Sequence, residues 1–271
     1  MRGLGRQQRE QAHVERAAQQ LGVPLGVLGR HVLGNYHARH SSAVLGVATY
    51  RFPGGVATVD PVTTGELIGT GRQADVYALD AHRVLRRYRD GTDATREAEI
   101  MERLSRFDFP IPQVYEATGP DLVMERLDGP TMTAAYAAGR LAVQEGASCL
   151  ADLHRRLHDV PFPGGRILHR DLHPENVMLT RRGPVVIDWN NAALGRPAVD
   201  VALTAVILGQ VALDPAHPMA EPAHAFLSAY VRIAGEEVHA GLGEALVIRA
   251  ADPALTDEDA ARLPEVRRFL S

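Results

Sequence analysis

Asp171, Asn176 and Asp188 are the residues whose types and spacing could do chemistry. The first two lie in His169-Arg170-Asp171-Leu172-His173-Pro174-Glu175-Asn176, and the third opens Asp188-Trp189. A loop can hold Asp171 against a substrate hydroxyl while Asn176 points back at a metal. Val177–Leu179 and Val185–Ile187 flank Arg181-Arg182-Gly183-Pro184, which reads as a hairpin. Such a hairpin returns the chain so that Asp188 arrives beside Asn176 at a strand end. Two oxygen ligands suit Mg²⁺, which keeps several waters, and one carboxylate is left over to accept a proton. The bland alternative is a polar surface loop with an unrelated aspartate at a strand end.

HRDLHPEN followed by IDW resembles the aminoglycoside phosphotransferase and choline kinase family, which shares the protein-kinase fold. The tryptophan of Asp188-Trp189 and the histidine of Leu172-His173-Pro174 look more like those small-molecule kinases than like protein kinases. The family's glycine and proline ahead of a second aspartate are matched by Gly195-Arg196-Pro197-Ala198-Val199-Asp200. The resemblance covers roughly residues 65–204, the C-terminal helices vaguely, and residues 1–60 not at all. It implies an α+β, bilobal protein-kinase-like fold with a small β-rich lobe and a larger helical one. It also implies ATP and Mg²⁺ as cofactors, with Asp171 at the hydroxyl, Asn176 and Asp188 on the metal, and Asp200 bracing the catalytic loop.

Gly69-Thr70-Gly71-Arg72-Gln73-Ala74-Asp75-Val76 also fits the dinucleotide fingerprint, with Asp90 about twenty residues on. That fingerprint requires a helix directly after the glycines. Asp75–Leu79 instead looks like a strand, and strand–glycine loop–strand fits a kinase-type phosphate cover. On the next strand, the family likeness aligns Arg86 with a lysine that grips phosphate and pairs with a helix glutamate. Arg87 falls on the opposite strand face. Arginine keeps the charge but replaces a point charge with a planar fork. Glu97, Met101 and Leu104 share one helix face, so Glu97 is the expected partner of Arg86, whereas Glu99 shares a solvent face with Glu102 and Arg103. The nucleotide contacts implied are Gly69, Thr70, Gly71, Arg72, Ala74 and Val76 of the loop, Val84 and Arg86 of the strand, and Glu125 and Leu127 of the connection between lobes. There, backbone groups of Val123–Gly129 could meet the adenine edge.

The elements that must position these residues are legible in outline. Residues 1–60 are net basic and read as an N-terminal extension, mobile or packed as an arm. Within it Gln7–Gln20 can form a helix with Val14, Ala17, Ala18 and Leu21 on one side, and 46–55 is loop-like. Residues 61–127 form the nucleotide-binding lobe: strands at Glu66–Gly69, Asp75–Leu79, Arg83–Tyr88, Val114–Ala117 and Leu122–Glu125. A helix capped by Thr92 or Asp93 sits after the third strand. Residues 128–271 form the helical lobe, with a long amphipathic stretch at Leu141–His158, a loop over Ile167–Asn176 and helices from about Asp200. The crevice between two lobes is a usual place for a ligand.

Composition narrows the chemistry further. All 29 basic residues are arginine. A Schiff-base lysine and a Walker-type phosphate loop are therefore both excluded. The net charge of −4 argues against a general nucleic-acid binder. The single cysteine, Cys149, excludes an internal disulfide and reads as core. No apolar window is long enough to span a bilayer, and a soluble, cytoplasmic protein is expected. A zinc hydrolase could use His154 and His158, or His169 and His173, with Asp171. No H-E-x-x-H occurs, however, and His154 and His158 flank Arg155-Arg156, which reads as a solvated face.

The expected reaction is transfer of the ATP γ-phosphate to a hydroxyl of a small molecule. Ten acids and five arginines in 201–271 would suit a cationic acceptor, such as an aminosugar antibiotic or a choline-like amine. The rivals are a protein kinase and a nucleotide-binding pseudokinase. Only eleven residues separate Asp188 from Asp200, which leaves an activation loop no room.

Overall fold

The computed structural model describes residues 12–24, 50–51 and 64–271. In chain order, helix α1 covers residues 12–20 and strand β1 is Tyr50–Arg51. Strands β2 (Leu67–Thr70), β3 (Ala74–Ala78) and β4 (Arg83–Tyr88) follow. Next come helix α2 (Thr95–Ser105) and strands β5 (Val114–Thr118) and β6 (Asp121–Glu125). Helices α3 (Met132–Ala137) and α4 (Val143–Asp159), strand β7 (Arg166–Leu168), the pair β8 (Val177–Thr180) and β9 (Gly183–Val186), and strand β10 (Ala193–Gly195) come after. The chain ends in helices α5 (Pro197–Ala212), α6 (Ala220–Ala234), α7 (Glu236–Ala250) and α8 (Asp257–Leu270).

Of the described residues, 50–51, 64–131 and 176–192 form one compact unit. Its sheet has the antiparallel order β1-β5-β6-β4-β3-β2. Five strands are expected from the sequence. The sixth, β1, pairs Tyr50 with Ala117 and Arg51 with Glu116. Two residues offer no alternation to read, so the loop expected over 46–55 conceals it. Helix α2 buries Glu97, Ala98, Ile100, Met101 and Leu104 on one face. It starts later than the expected Thr92 or Asp93 cap, with Ala94 at the N-cap. Asp93 Oδ1 accepts from Thr95 N at 2.9 Å, so that aspartate still satisfies an orphan amide at the entry.

Residues 12–24, 132–175 and 193–271 form a second unit, mostly helical. Helix α5 is buried almost all round from Val199 to Gln210, as its unbroken apolar run dictates, and it packs against α6, α7 and α8. Pro197 begins it, where a missing N–H costs nothing. A Cβ on Gly241 of α7 would lie 1.9 Å from the Ala198 carbonyl oxygen, so only glycine lets α7 approach the start of α5. The segment Ile167–Asn176, expected as loop, begins inside β7, which pairs antiparallel with β10 through Leu168↔Ala193. Helix α1 occupies part of the expected Gln7–Gln20, residues 7–11 being outside the described ones. Val14, Ala17, Ala18 and Leu21 are buried. Gln20 and Leu21 line a cavity of about 550 Å³ with Pro264, Arg267 and Arg268 of α8. Among the described residues no helix is long and apolar enough to cross a membrane.

Candidate active site

The β8–β9 hairpin holds two of the three residues that open the sequence argument. Val177 pairs with Val186, and Ile187 N donates to Asn176 O at 3.0 Å. Asn176 and Asp188 therefore flank the open end of one hairpin. Asp188 is left-handed, at φ 67° and ψ 66°. Such a conformation costs about 1–3 kcal/mol and is held only where the surroundings insist. Here the constraint is Trp189, fully buried, whose indole Nε1 donates to Val186 O at 3.1 Å and whose ring meets Phe109 edge-on. Asp188 is partly exposed, and Asn176 is 9% exposed. One carboxylate and one amide oxygen at a strand end fit Mg²⁺ chemically.

Arg86 ties this end of the hairpin to the sheet. Its Nη1 donates to Glu97 Oε1 at 2.5 Å and its Nη2 to Asp188 Oδ1 at 2.5 Å. Tyr88 Oη donates to Glu97 Oε2, and Trp189 N donates to Glu97 Oε1 at 3.0 Å. Glu97 is 4% exposed, and Glu99 is on the solvent side, as the helical spacing requires. Burial drives the pKa of Glu97 up, and the Asp188 charge adds to this, while Arg86, Tyr88 and Trp189 oppose it. Three donors on two oxygens mark an ionised carboxylate. Burial lowers the Arg86 pKa, but Glu97 and Asp188 more than offset that, so it stays raised and the guanidinium charged. Arg87 points the other way and pairs with Asp121.

The glycine loop joins two strands, which rules out the helix a dinucleotide fingerprint demands. Gly71 N donates to Ala74 O at 2.9 Å. Arg89 gathers the loop: Nη2 donates to Gly71 O at 2.8 Å and Arg72 O at 2.5 Å, and Nη1 to Asp75 Oδ1 at 2.6 Å. Asn190 Nδ2 donates to Gln73 Oε1 at 2.5 Å. Thr70, Gly71 and Arg72 are exposed, Gly69 and Val76 half-buried, and Ala74 and Val84 buried. In the lobe connection, Glu125 N and Arg126 N are committed to Gln113 O and His82 O, both at 2.8 Å. The Glu125 carboxylate accepts from Arg182 Nη2 at 2.6 Å. Any adenine contact from Glu125 is thus limited to its carbonyl. Leu127 is half-buried.

Asp171 belongs to the helical unit. It lies five residues before Asn176 in the chain, and its Oδ1 is 3.6 Å from His173 Nε2. The backbone just ahead of it is braced by fully buried Asp200. Oδ2 accepts from His169 N at 2.9 Å and His158 Nε2 at 3.0 Å, and Oδ1 from Arg170 N at 2.7 Å. Arg170 is left-handed, at φ 66°, so this brace fixes an unfavourable turn. The solvated face expected for His154 and His158 is wrong: both are buried, and only the arginines between them are exposed. The four-residue spacing aligns the rings with Leu150, Leu153 and Leu157 rather than with the charges. His154 Nε2 shares a hydrogen bond with Thr204 Oγ1 at 2.9 Å. Burial raises the Asp200 pKa, but the two histidine rings beside it take it well below the ordinary value. His154, His158 and Asp200 present ligand atoms within 4.8 Å of one another. Both Asp200 oxygens already accept hydrogen bonds, so the carboxylate braces the backbone ahead of Asp171. Cys149, expected in the core, is only half-buried.

Comparison with known proteins agrees with this architecture. Residues 164–242 match the model of the phosphotransferase enzyme family, and residues 71–194 match the RIO domain model. The two overlap on the stretch that carries Asp171, Asn176 and Asp188. A probable serine/threonine-protein kinase of Streptomyces coelicolor is 30% identical over 167 residues, which is 54% of this chain and 24% of that one. The chain thus spans about a quarter of that relative's length. Among solved structures, a thermostable mutant of aminoglycoside phosphotransferase APH(4)-Ia superposes with a TM-score of 0.54. The identity is 15%, over 77% of this chain and 94% of that one. Plasmodium vivax ethanolamine kinase superposes with a TM-score of 0.50 at 12% identity, over 75% and 80%.

The fold is the protein-kinase-like one. Within that fold, the expected likeness to the aminoglycoside phosphotransferase and choline kinase family holds over residues 164–242, which match the phosphotransferase enzyme family. Sequence reasoning missed Tyr88, the two histidines on Asp200, and the Arg89 and Asn190 contacts to the glycine loop. Strand alternation puts Tyr88 on the face of Arg86, a signal that was available.

Proposed function

We propose that the chain transfers the γ-phosphoryl group of ATP, with Mg²⁺, to a hydroxyl group of a small molecule. Asp171 accepts or orients the hydroxyl proton. Asn176 and Asp188 hold the metal, which when bound neutralises phosphate charge and orients the group in flight. Arg86, anchored by Glu97, adds its charge beside Asp188, and the Gly69–Ala74 loop offers backbone N–H groups to the phosphates. The supporting observation is the single-ended hairpin: Asn176 and Asp188 at its open end, with Arg86 reaching Asp188 from a buried glutamate.

The acceptor is the less constrained part of the reading. Nine of the ten acids of 201–271 have local roles. Glu221, Glu236, Glu237, Asp257, Glu258 and Asp259 occupy first turns of helices, where the dipole favours them. Asp214, Glu244 and Asp252 pair with arginines. They argue for no cationic pocket, so both cationic and neutral alcohols belong in the panel.

A protein-kinase reading is favoured by the name of the Streptomyces relative. Against it, the residues between Asp188 and Asp200 are taken up by a 3₁₀ turn at Trp189–Asn191, by β10 and by the start of α5.

The test couples ADP release to a panel of aminoglycosides, choline-like amines, neutral polyols and a peptide. ADP release with a small alcohol supports the proposal, and activity on the peptide alone favours the rival. Nucleotide binding without turnover on any acceptor identifies a pseudokinase. Asp171→Ala should lower turnover by about 10²-fold or more while nucleotide affinity changes little. Wild-type turnover in that variant would remove Asp171 from the chemistry.

A further inference from the structure

Arginine and carboxylate normally meet fork to fork, with two parallel hydrogen bonds. The neighbouring residue shows it: Arg87 Nε and Nη2 each donate at 2.6 Å to one oxygen of Asp121. Arg86 does not. It gives one arm to Glu97 and the other to Asp188. What differs is Tyr88, two residues along β4 and on the same face. Its hydroxyl occupies Glu97 Oε2, and its ring lies 5.0 Å beneath the guanidinium carbon. Trp189 N takes a further place on Oε1. Glu97 therefore has a single oxygen to offer Arg86.

We infer that Tyr88 is a positioning residue that forbids the two-armed Arg86–Glu97 pair and so leaves one guanidinium arm for the Asp188 and phosphate side. The inference rests on the phosphotransfer reading for its consequence in catalysis, but not for its geometry. A lysine ammonium has no fork to consume, so it could share Glu97 without such a guard. In this lysine-free chain, Tyr88 makes an arginine workable at a position where a second donor is needed beside Asp188. Burial, and then the Glu97 charge, hold the Tyr88 phenol above its ordinary pKa, so its proton remains available to donate.

The experiment is a double-mutant cycle on the full chain with Tyr88→Phe and Arg86→Lys. In the Arg86 background, Tyr88→Phe should weaken Mg²⁺–AMP-PNP binding, read by calorimetry, and raise the KM for ATP by about tenfold. In the Arg86→Lys background, the same change should cost less than about threefold. A purely structural tyrosine would cost the same in both. Equal losses, or a double variant that fails to fold where Arg86→Lys folds, would overturn the inference.

A ligand-free readout separates this from the function itself. Trp189 is the chain's one tryptophan and shares Glu97 Oε1 with Arg86. Its emission should shift on Tyr88→Phe with Arg86 present and stay put with lysine there. Absence of nucleotide binding in the wild-type protein would sink the phosphotransfer reading, and the emission comparison would still decide the role of Tyr88.

Discussion

The cost of the Arg86 junction is set at the scale of single charges. Arg86 and Glu97 are both buried, so each is tolerable only because the other is present. Desolvating an ion costs several kcal/mol, and the pair repays this only when its hydrogen bonds are complete. Arg86→Met should therefore destabilise the protein by about 3–5 kcal/mol, because it leaves Glu97 buried and uncompensated. Adding Glu97→Leu should recover a large part of that loss. Urea unfolding of the two variants checks this. A double variant less stable than the single one would show that the pair is not the source of the cost. The Arg83–Asp80 pair is a contrast, since both partners are solvent-exposed and Arg83→Ala should leave stability nearly unchanged.

At the scale of elements, site geometry depends on how closely α7 meets the first turn of α5. Asp200 sits in that turn and holds the backbone of His169 and Arg170. Gly241 permits the approach, its absent Cβ standing where the Ala198 carbonyl lies. A methyl group there must push the helices apart. Gly241→Ala should cost about 1–3 kcal/mol, as overpacking does, and should lower turnover by displacing Asp200. Thermal unfolding and kcat measured on one sample test both parts. A stable variant with normal kcat would mean that α5 does not transmit the strain to the brace. The β8–β9 hairpin works by different means: its register alone sets Asn176 against Asp188, so it needs no long-range support to present both.

At the scale of the whole molecule, the buried His154–Asp200 pair makes stability depend on pH. Burial holds the His154 pKa below its ordinary 6.5, against the opposing pull of Asp200. Its other charged neighbours act in both directions, His158 lowering the pKa and Glu237 raising it. As pH falls below about 6.5, the unfolded chain takes up a proton there that the folded chain refuses, so stability declines. Asp200 acts later. Its folded pKa lies well below 3.8, so its contribution is full above that value and is lost as pH falls toward the folded one. The unfolding free energy measured from pH 7.5 to 5 should fall by up to about 1.4 kcal/mol per pH unit for each proton of difference. His154→Gln should flatten that slope between pH 6.5 and 5. Parallel slopes for the two proteins would place the proton uptake elsewhere.

What the sequence could determine was whatever obeys a local period. Glu97 reads as inward because Met101 and Leu104 follow it at helical spacing, and Arg86 and Arg87 separate because a strand alternates. The glycine loop reads as strand–loop–strand because valine and tyrosine follow it. The motif around Asp171 and Asp188 carried the family likeness with it. Tertiary structure decided what period cannot encode. Two residues at Tyr50–Arg51 became a strand because a sheet edge at Val114–Thr118 offered unpaired backbone. Arg166–Leu168 became a strand because Ala193–Gly195 returned beside it. His158 and His154 turned inward toward a buried carboxylate and a buried hydroxyl of another helix, Asp200 and Thr204. Tyr88 acquired its role only when Glu97, eleven residues away from Arg86 in sequence, met both side chains at one point. Local chemistry fixes which residues can act, but a hydrogen bond between distant segments forms only after the core has brought them together.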